Sequence, residues 1–108
     1  MSFKIEATPN FLSEAKKLSK KYISIRADLE VLTQRLSANP TFGTPLGGNL
    51  YKVRMAITSK GKGKSGGARV ITYVKIIRST VYLVSIYDKS EQETISNKMI
   101  RELGRSIP

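Results

Sequence analysis

Nine cationic side chains, Lys52, Arg54, Lys60, Lys62, Lys64, Arg69, Lys75, Arg78 and Lys89, fall between Tyr51 and Lys89, with Asp88 as the single carboxylate among them. That density suits a polyanion, and the fixed forks of the arginines suit phosphate in particular. The chain contains no histidine and no cysteine. Thiol nucleophiles, thiolate metal sites and disulfides are thereby excluded, as is the side chain used most often as general base or metal ligand. Acid–base chemistry must come from carboxylates, lysine, arginine, tyrosine or hydroxyls. Glu91 and Glu93 are explained by the capping of a helix, and Asp88 beside Lys89 reads as a turn or salt-bridge residue, so no paired-acid metal site is apparent. Neither a metal nor a cofactor is expected.

The cations are not equivalent. Arg69 opens a largely apolar segment and comes close to Lys52 and Arg54 if the strands that carry them are neighbours. Such a cluster is costly without an anion, the alternative being an edge arginine that keeps its own head in water. Lys60, Lys62 and Lys64 stand in TSKGKGKSGG (58–67), where glycines would let a loop follow an RNA phosphate backbone. A merely solvated loop is the other reading. The run G-K-G-K-S resembles a nucleotide-binding P-loop, but Thr58 stands where the first glycine is required and the residues after Ser65 read as strand, not helix. That reading is rejected.

Across the whole chain of 108 residues, Lys plus Arg total 19 against 8 Asp plus Glu, for a net charge of +11 and a pI near 10.1. The first 48 residues hold only net +3 of this. The excess therefore sits in the second half, where nucleic acid is the first partner to consider, although an anionic membrane or an acidic protein would meet the same electrostatic requirement. No leader-like segment and no apolar run of membrane-spanning length is present, so a soluble, cytoplasmic protein with no membrane partner is expected. The length fits one domain, 1–108.

The elements that must position these cations follow from the apolar period. Phe3 and Ile5 alternate with Lys4 and Glu6 as a short strand ending at Thr8. Thr8 caps a helix with Pro9 at its first position, and Phe11, Ala15, Leu18 and Tyr22 share one face. A second helix from about Ser24 repeats that spacing with Ile25, Leu29, Leu32 and Leu36 and stops at Asn39-Pro40, making a helical hairpin. NPTFGTPLGG (39–48) reads as a connector. Tyr51, Val53, Met55 and Ile57 then alternate as a strand with a basic outer face, and ARVITYVKII and TVYLVSIY give two long strands with a turn at 78–80. Ser90 and Glu93 form a capping box for a last helix, with Ile95, Met99, Ile100 and Leu103 on its face, running to Gly104. The order β-α-α-β-β-β-α predicts an α+β fold, a helical hairpin on a mainly antiparallel sheet.

The segments Y-K-V-R (51–54), G-A-R-V-I-T-Y (67–73) and V-Y-L-V-S-I-Y-D-K-S-E (81–91) resemble the RelE/HigB-like toxins of bacterial toxin–antitoxin modules, in the same order of elements. The resemblance implies one RelE/ParE-like toxin domain and an mRNA interferase: a metal-independent endoribonuclease that cuts mRNA, in many members on the ribosome, to inhibit translation. A cognate antitoxin would hold it inactive. By the same resemblance Arg69 contacts the scissile phosphate, Lys52 and Arg54 are the paired basic positions of the preceding strand, and Tyr87 and Lys89 fall where aromatic and basic active-site groups stand. Relatives with a histidine in that last segment leave the identity of the proton-transfer groups here open.

Cleavage by RNA's own 2′-hydroxyl needs a base, charge stabilisation on the phosphorane and an acid for the 5′-oxygen. Arg69 and Arg54 suit the phosphorane. Lys52 or Lys89 could serve as base if surrounding positive charge disfavours the ammonium form, and Tyr87 could donate a proton or stack on a base. Two rivals share the fold or the charge: a ParE-like gyrase poison with no nuclease site, and a non-catalytic RNA-binding module.

Overall fold

In a computed structural model that describes residues 2–61, 63–91, 96–105 and 107, the chain forms strand β1 (Lys4–Ala7), helices α1 (Pro9–Lys21) and α2 (Ile25–Ala38), strands β2 (Thr44–Gly47), β3 (Leu50–Met55), β4 (Ala68–Lys75) and β5 (Thr80–Asp88), and helix α3 (Asn97–Gly104). The α1 cap works as its sequence suggests. The Thr8 hydroxyl accepts from the Phe11 N–H at 3.2 Å and donates to the Leu83 carbonyl at 3.1 Å, so one side chain both starts the helix and docks it on β5. At the far end of the hairpin, Ser37 donates to the Phe3 carbonyl at 2.8 Å and ties α2 to β1.

The sheet order is β1-β5-β4-β3-β2, with β1 parallel to β5 and every other pair antiparallel. One face carries the hairpin: Phe11, Leu18, Ile25, Leu32 and Leu36 pack on Val53, Met55, Val70 and Ile86. The other face gathers Ile71, Tyr82, Val84 and Tyr87 against Ile100 of α3. Strand β5 is therefore buried at every residue, which is why its sequence reads as a nearly continuous apolar run.

The expected α+β hairpin-on-sheet architecture holds, with three differences. Strand β4 ends at Lys75, and Ile76 and Ile77 of the expected strand stand in a 3-10 turn, Ile76–Arg78. The connector 39–48 contains the additional edge strand β2, exposed at all four residues. It is held by backbone pairing to β3 and leaves no apolar alternation to read, and Pro45 is tolerated because the strand is an edge. The last helix begins later than expected. Ser96 caps α3, its hydroxyl accepting from the Met99 N–H at 3.1 Å, while Ser90 turns back to Asp88. Glu93 and Ile95 of the expected capping box and helix face lie outside the described residues. Among the described residues no helix is long and apolar enough to cross a membrane.

Strand β4 can lie against β3 only because Gly67 precedes it. A Cβ there would stand 2.1 Å from the Met55 carbonyl oxygen and 2.9 Å from the Ala56 Cα. Gly67→Ala must spread two backbones, so urea denaturation is expected to register a loss of about 3 kcal/mol. A loss under about 1 kcal/mol would mean that the strands are not so tightly apposed.

Candidate functional site

The antiparallel register puts Arg54 of β3 opposite Arg69 of β4, and Arg69 opposite Tyr87 of β5, making a row across three strands. Directly opposed residues share a face with Cβ atoms about 5 Å apart. Val53, Met55, Val70 and Ile86 belong to the hairpin core, so alternation sends Arg54, Arg69 and Tyr87 to the opposite face. Lys52, half-buried, lies two residues before Arg54 and so on the same face. Lys89 follows Tyr87 by the same interval, and its backbone N–H extends the ladder to the Gly67 carbonyl at 3.0 Å.

Arg69 is the centre of the row and is only 3% exposed. Its Nη1 donates to the carbonyls of Lys64 at 2.8 Å and Ala68 at 3.1 Å, and its Nη2 to that of Ser65 at 3.4 Å. Among the described residues no carboxylate pairs with it. Burial pulls the Arg69 guanidinium below its ordinary value, Arg54 adds to the effect and Tyr87 opposes it. An arginine stays charged under such conditions, so the described residues hold a buried cation with no carboxylate beside it, a setting that favours an incoming anion.

Tyr87 is buried, and its hydroxyl has no hydrogen-bond partner among the described residues. Burial pushes the phenol up and neighbouring Arg69 pulls it down, with a net rise. The group is therefore a protonated donor, and its ring, packed with Ile71, Val84 and Ile100, is committed to the core instead of being open for stacking.

The three loop lysines separate. Lys64 is exposed and Lys62 lies outside the described residues. Lys60 instead points inward: its Nζ stands 2.8 Å from Asp88 Oδ1 and 2.9 Å from Ser90 Oγ, and 5.5 Å from the centre of the Tyr22 ring. Its side chain is 9% exposed and that of Asp88 is fully enclosed. The salt-bridge reading of Asp88 thus extends to a hub that the local sequence does not reveal. Tyr22 Oη also donates to Asp88 Oδ2 at 2.7 Å, and the Ser90 N–H and hydroxyl donate to Oδ1 at 3.0 and 2.8 Å.

Burial by itself pushes the Asp88 carboxyl up, but the donors Lys60, Tyr22 and Ser90 outweigh it and hold the group well below the usual carboxylate range. A carboxyl depressed in the fold stabilises it above the unfolded value, about 3.9, and that contribution fades as the pH falls from there toward the folded value. Asp88→Asn is accordingly expected to lose about 3 kcal/mol at pH 7 in urea melts. The gap to wild type should narrow below about pH 4; a gap independent of pH would show that the charge of Asp88 is not what stabilises.

No group of three or more metal-ligating side chains occurs among the described residues. The arrangement offers a buried guanidinium, a second arginine across the strand and a protonated phenol, with Lys52 and Lys89 each two residues along the chain from the row. That is a set for binding a phosphodiester and moving protons about it.

A family model described as the RelE toxin of the RelE/RelB toxin–antitoxin system matches residues 36–106. Among solved structures, the chain is similar to an E. coli RelE toxin carrying two arginine-to-alanine substitutions, in the free state, at 17% identity and a TM-score of 0.67 over 100% of both chains. It is also similar to a chain of the intact E. coli RelBE toxin–antitoxin complex, at 18% identity and a TM-score of 0.62, covering 81% of this chain and 96% of that one. A chain of the RelBE2 toxin–antitoxin complex from Mycobacterium tuberculosis matches at 17% identity and a TM-score of 0.62, covering 82% and 92%. At such identities the structural likeness speaks for the fold.

Proposed function

The chain belongs to the RelE toxin family of the RelE/RelB toxin–antitoxin system, and from that membership we propose that it is an endoribonuclease that cuts mRNA on the ribosome and so stops translation. The observation that carries this reading is the row Arg54, Arg69, Tyr87, in which a buried arginine lies beside a buried phenol, the first with no carboxylate partner and the second with no hydrogen-bond partner among the described residues.

In this mechanism Arg69, with Arg54 across the strand, binds the scissile phosphate and stabilises the charge that grows on its oxygens. The carbonyls behind Arg69 aim its fork before the RNA arrives, so little reorganisation remains for the transition state. The RNA 2′-hydroxyl gives its proton to Lys52 or Lys89, a 2′-oxygen–phosphorus bond forms, and the bond from phosphorus to the 5′-oxygen breaks. Tyr87 protonates the departing 5′-oxygen. The products are a 2′,3′-cyclic phosphate and a 5′-hydroxyl, and no step calls for a metal. Lys64 adds sequence-independent attraction for the phosphate backbone.

The similar toxin–antitoxin complexes support a cognate antitoxin for this chain as well. An acidic antitoxin segment would complement the basic face and exclude RNA from it. End-group chemistry tests the reaction. Downstream fragments from a translating extract should accept a labelled phosphate from polynucleotide kinase without prior dephosphorylation; fragments carrying 5′-phosphates would rule out this chemistry.

A further inference from the structure

The hub around Asp88 is a buried polar assembly that the cleavage chemistry above does not use. It joins three parts of the chain: the end of α1 through Tyr22 and Lys21, the loop after β3 through Lys60, and the end of β5 through Asp88 and Ser90. Two of these parts build the site. The loop that begins at Lys60 supplies the Lys64 and Ser65 carbonyls that hold Arg69, and Asp88 directly follows Tyr87 in β5.

The start of that loop is fastened elsewhere. The Thr58 N–H donates to Asp28 Oδ2 at 3.0 Å and the Ser59 N–H to Ser24 Oγ at 2.8 Å, which fixes it to the beginning of α2. Lys60 is the side chain that carries the loop across to β5. A buried ion pair adds little net stability compared with apolar packing, so its enclosed geometry is better understood as a means of setting position.

We propose that the Lys60–Asp88 ion pair is a positioning element of the RNA-cleavage site, which holds the loop carbonyls behind Arg69 in register with Tyr87 at the end of β5. This rests on the nuclease reading for its effect on rate, though not for its effect on Arg69. Lys60 accordingly acts through Arg69 and does not bind RNA, unlike exposed Lys64.

The test compares Lys60→Met and Lys60→Arg with wild type, using message cleavage in a reconstituted translation system, circular dichroism at the assay temperature, and the NMR signal of the Arg69 Nε–H. Folded Lys60→Met should lose ~10²-fold in kcat with KM nearly unchanged, as a displaced catalytic group does. Its Arg69 Nε–H should shift and exchange faster with water, and Lys60→Arg should recover most of both. If Lys60→Met does not fold, Asp88→Asn takes its place with the same expected readouts. An unaltered Arg69 signal in the folded variant overturns the proposal whether or not the wild type cleaves RNA. A raised KM with unchanged kcat overturns it too, since that would make Lys60 an RNA contact. A wild type that cuts no message, with the Arg69 signal still dependent on Lys60, removes the nuclease reading and leaves the mechanical link standing.

Discussion

Arg69→Ala is expected to lower single-turnover cleavage of ribosome-bound message by about 10²–10³-fold, the usual cost of removing one preorganised donor from the charge that develops in a transition state. Arg69 is enclosed, aimed by the Lys64, Ala68 and Ser65 carbonyls, and left without a carboxylate among the described residues, so its charge is available to a phosphate in surroundings that screen it little. Arg54 is exposed and sees water, and its substitution should cost less. Arg69→Lys should recover only a small part of the loss, because an ammonium cannot hold the loop carbonyls and present a planar fork to phosphate at once. Stability should suffer little, since the alanine variant removes a buried cation and returns the Lys64 and Ser65 carbonyls to an exposed loop. An Arg69→Ala protein that cuts within about threefold of wild type, well inside the range expected for a lost donor, would remove Arg69 from the chemistry.

Tyr87→Phe should separate stability from activity. The Tyr87 hydroxyl is buried with no partner among the described residues, so the fold gains nothing from it; deleting it should leave stability unchanged or raise it by about 1 kcal/mol. The ring keeps its packing against Ile71, Val84 and Ile100. Cleavage should nevertheless fall by about 10²-fold, the lower end of what a positioned general acid contributes. Because burial pushes this phenol above its ordinary value despite neighbouring Arg69, the acid stays protonated through the neutral range, and its alkaline limb should lie above that of a free tyrosine. A Tyr87→Phe variant that is destabilised yet fully active would make the hydroxyl a structural group.

Much of the scaffold was legible because it rests on local chemistry. Thr8-Pro9 announces α1, the spacing of Ile25, Leu29, Leu32 and Leu36 announces α2, and alternation from Tyr51 to Ile57 announces β3. The sequence places Arg69 near Arg54 only if their strands are neighbours, and the register of β3 and β4 makes them so. Strand β2 was not legible, because an exposed edge strand is selected by backbone pairing and carries no apolar pattern. The start of α3 at Ser96 is not legible because Ser90 spends its hydroxyl on Asp88, whereas the local sequence shows only its capping use. The local sequence groups Lys60 with its loop neighbours as a phosphate contact. Its partner lies 28 residues away across the fold, and no window of sequence contains the pair.

Mapping the 5′ ends of a defined message translated with the purified protein tests the nuclease reading most directly, with Arg69→Ala alongside and gyrase supercoiling measured in parallel. Discrete new ends that appear with wild type and fade with Arg69→Ala, with supercoiling untouched, are expected. A message that stays intact at doses that arrest translation would contradict it.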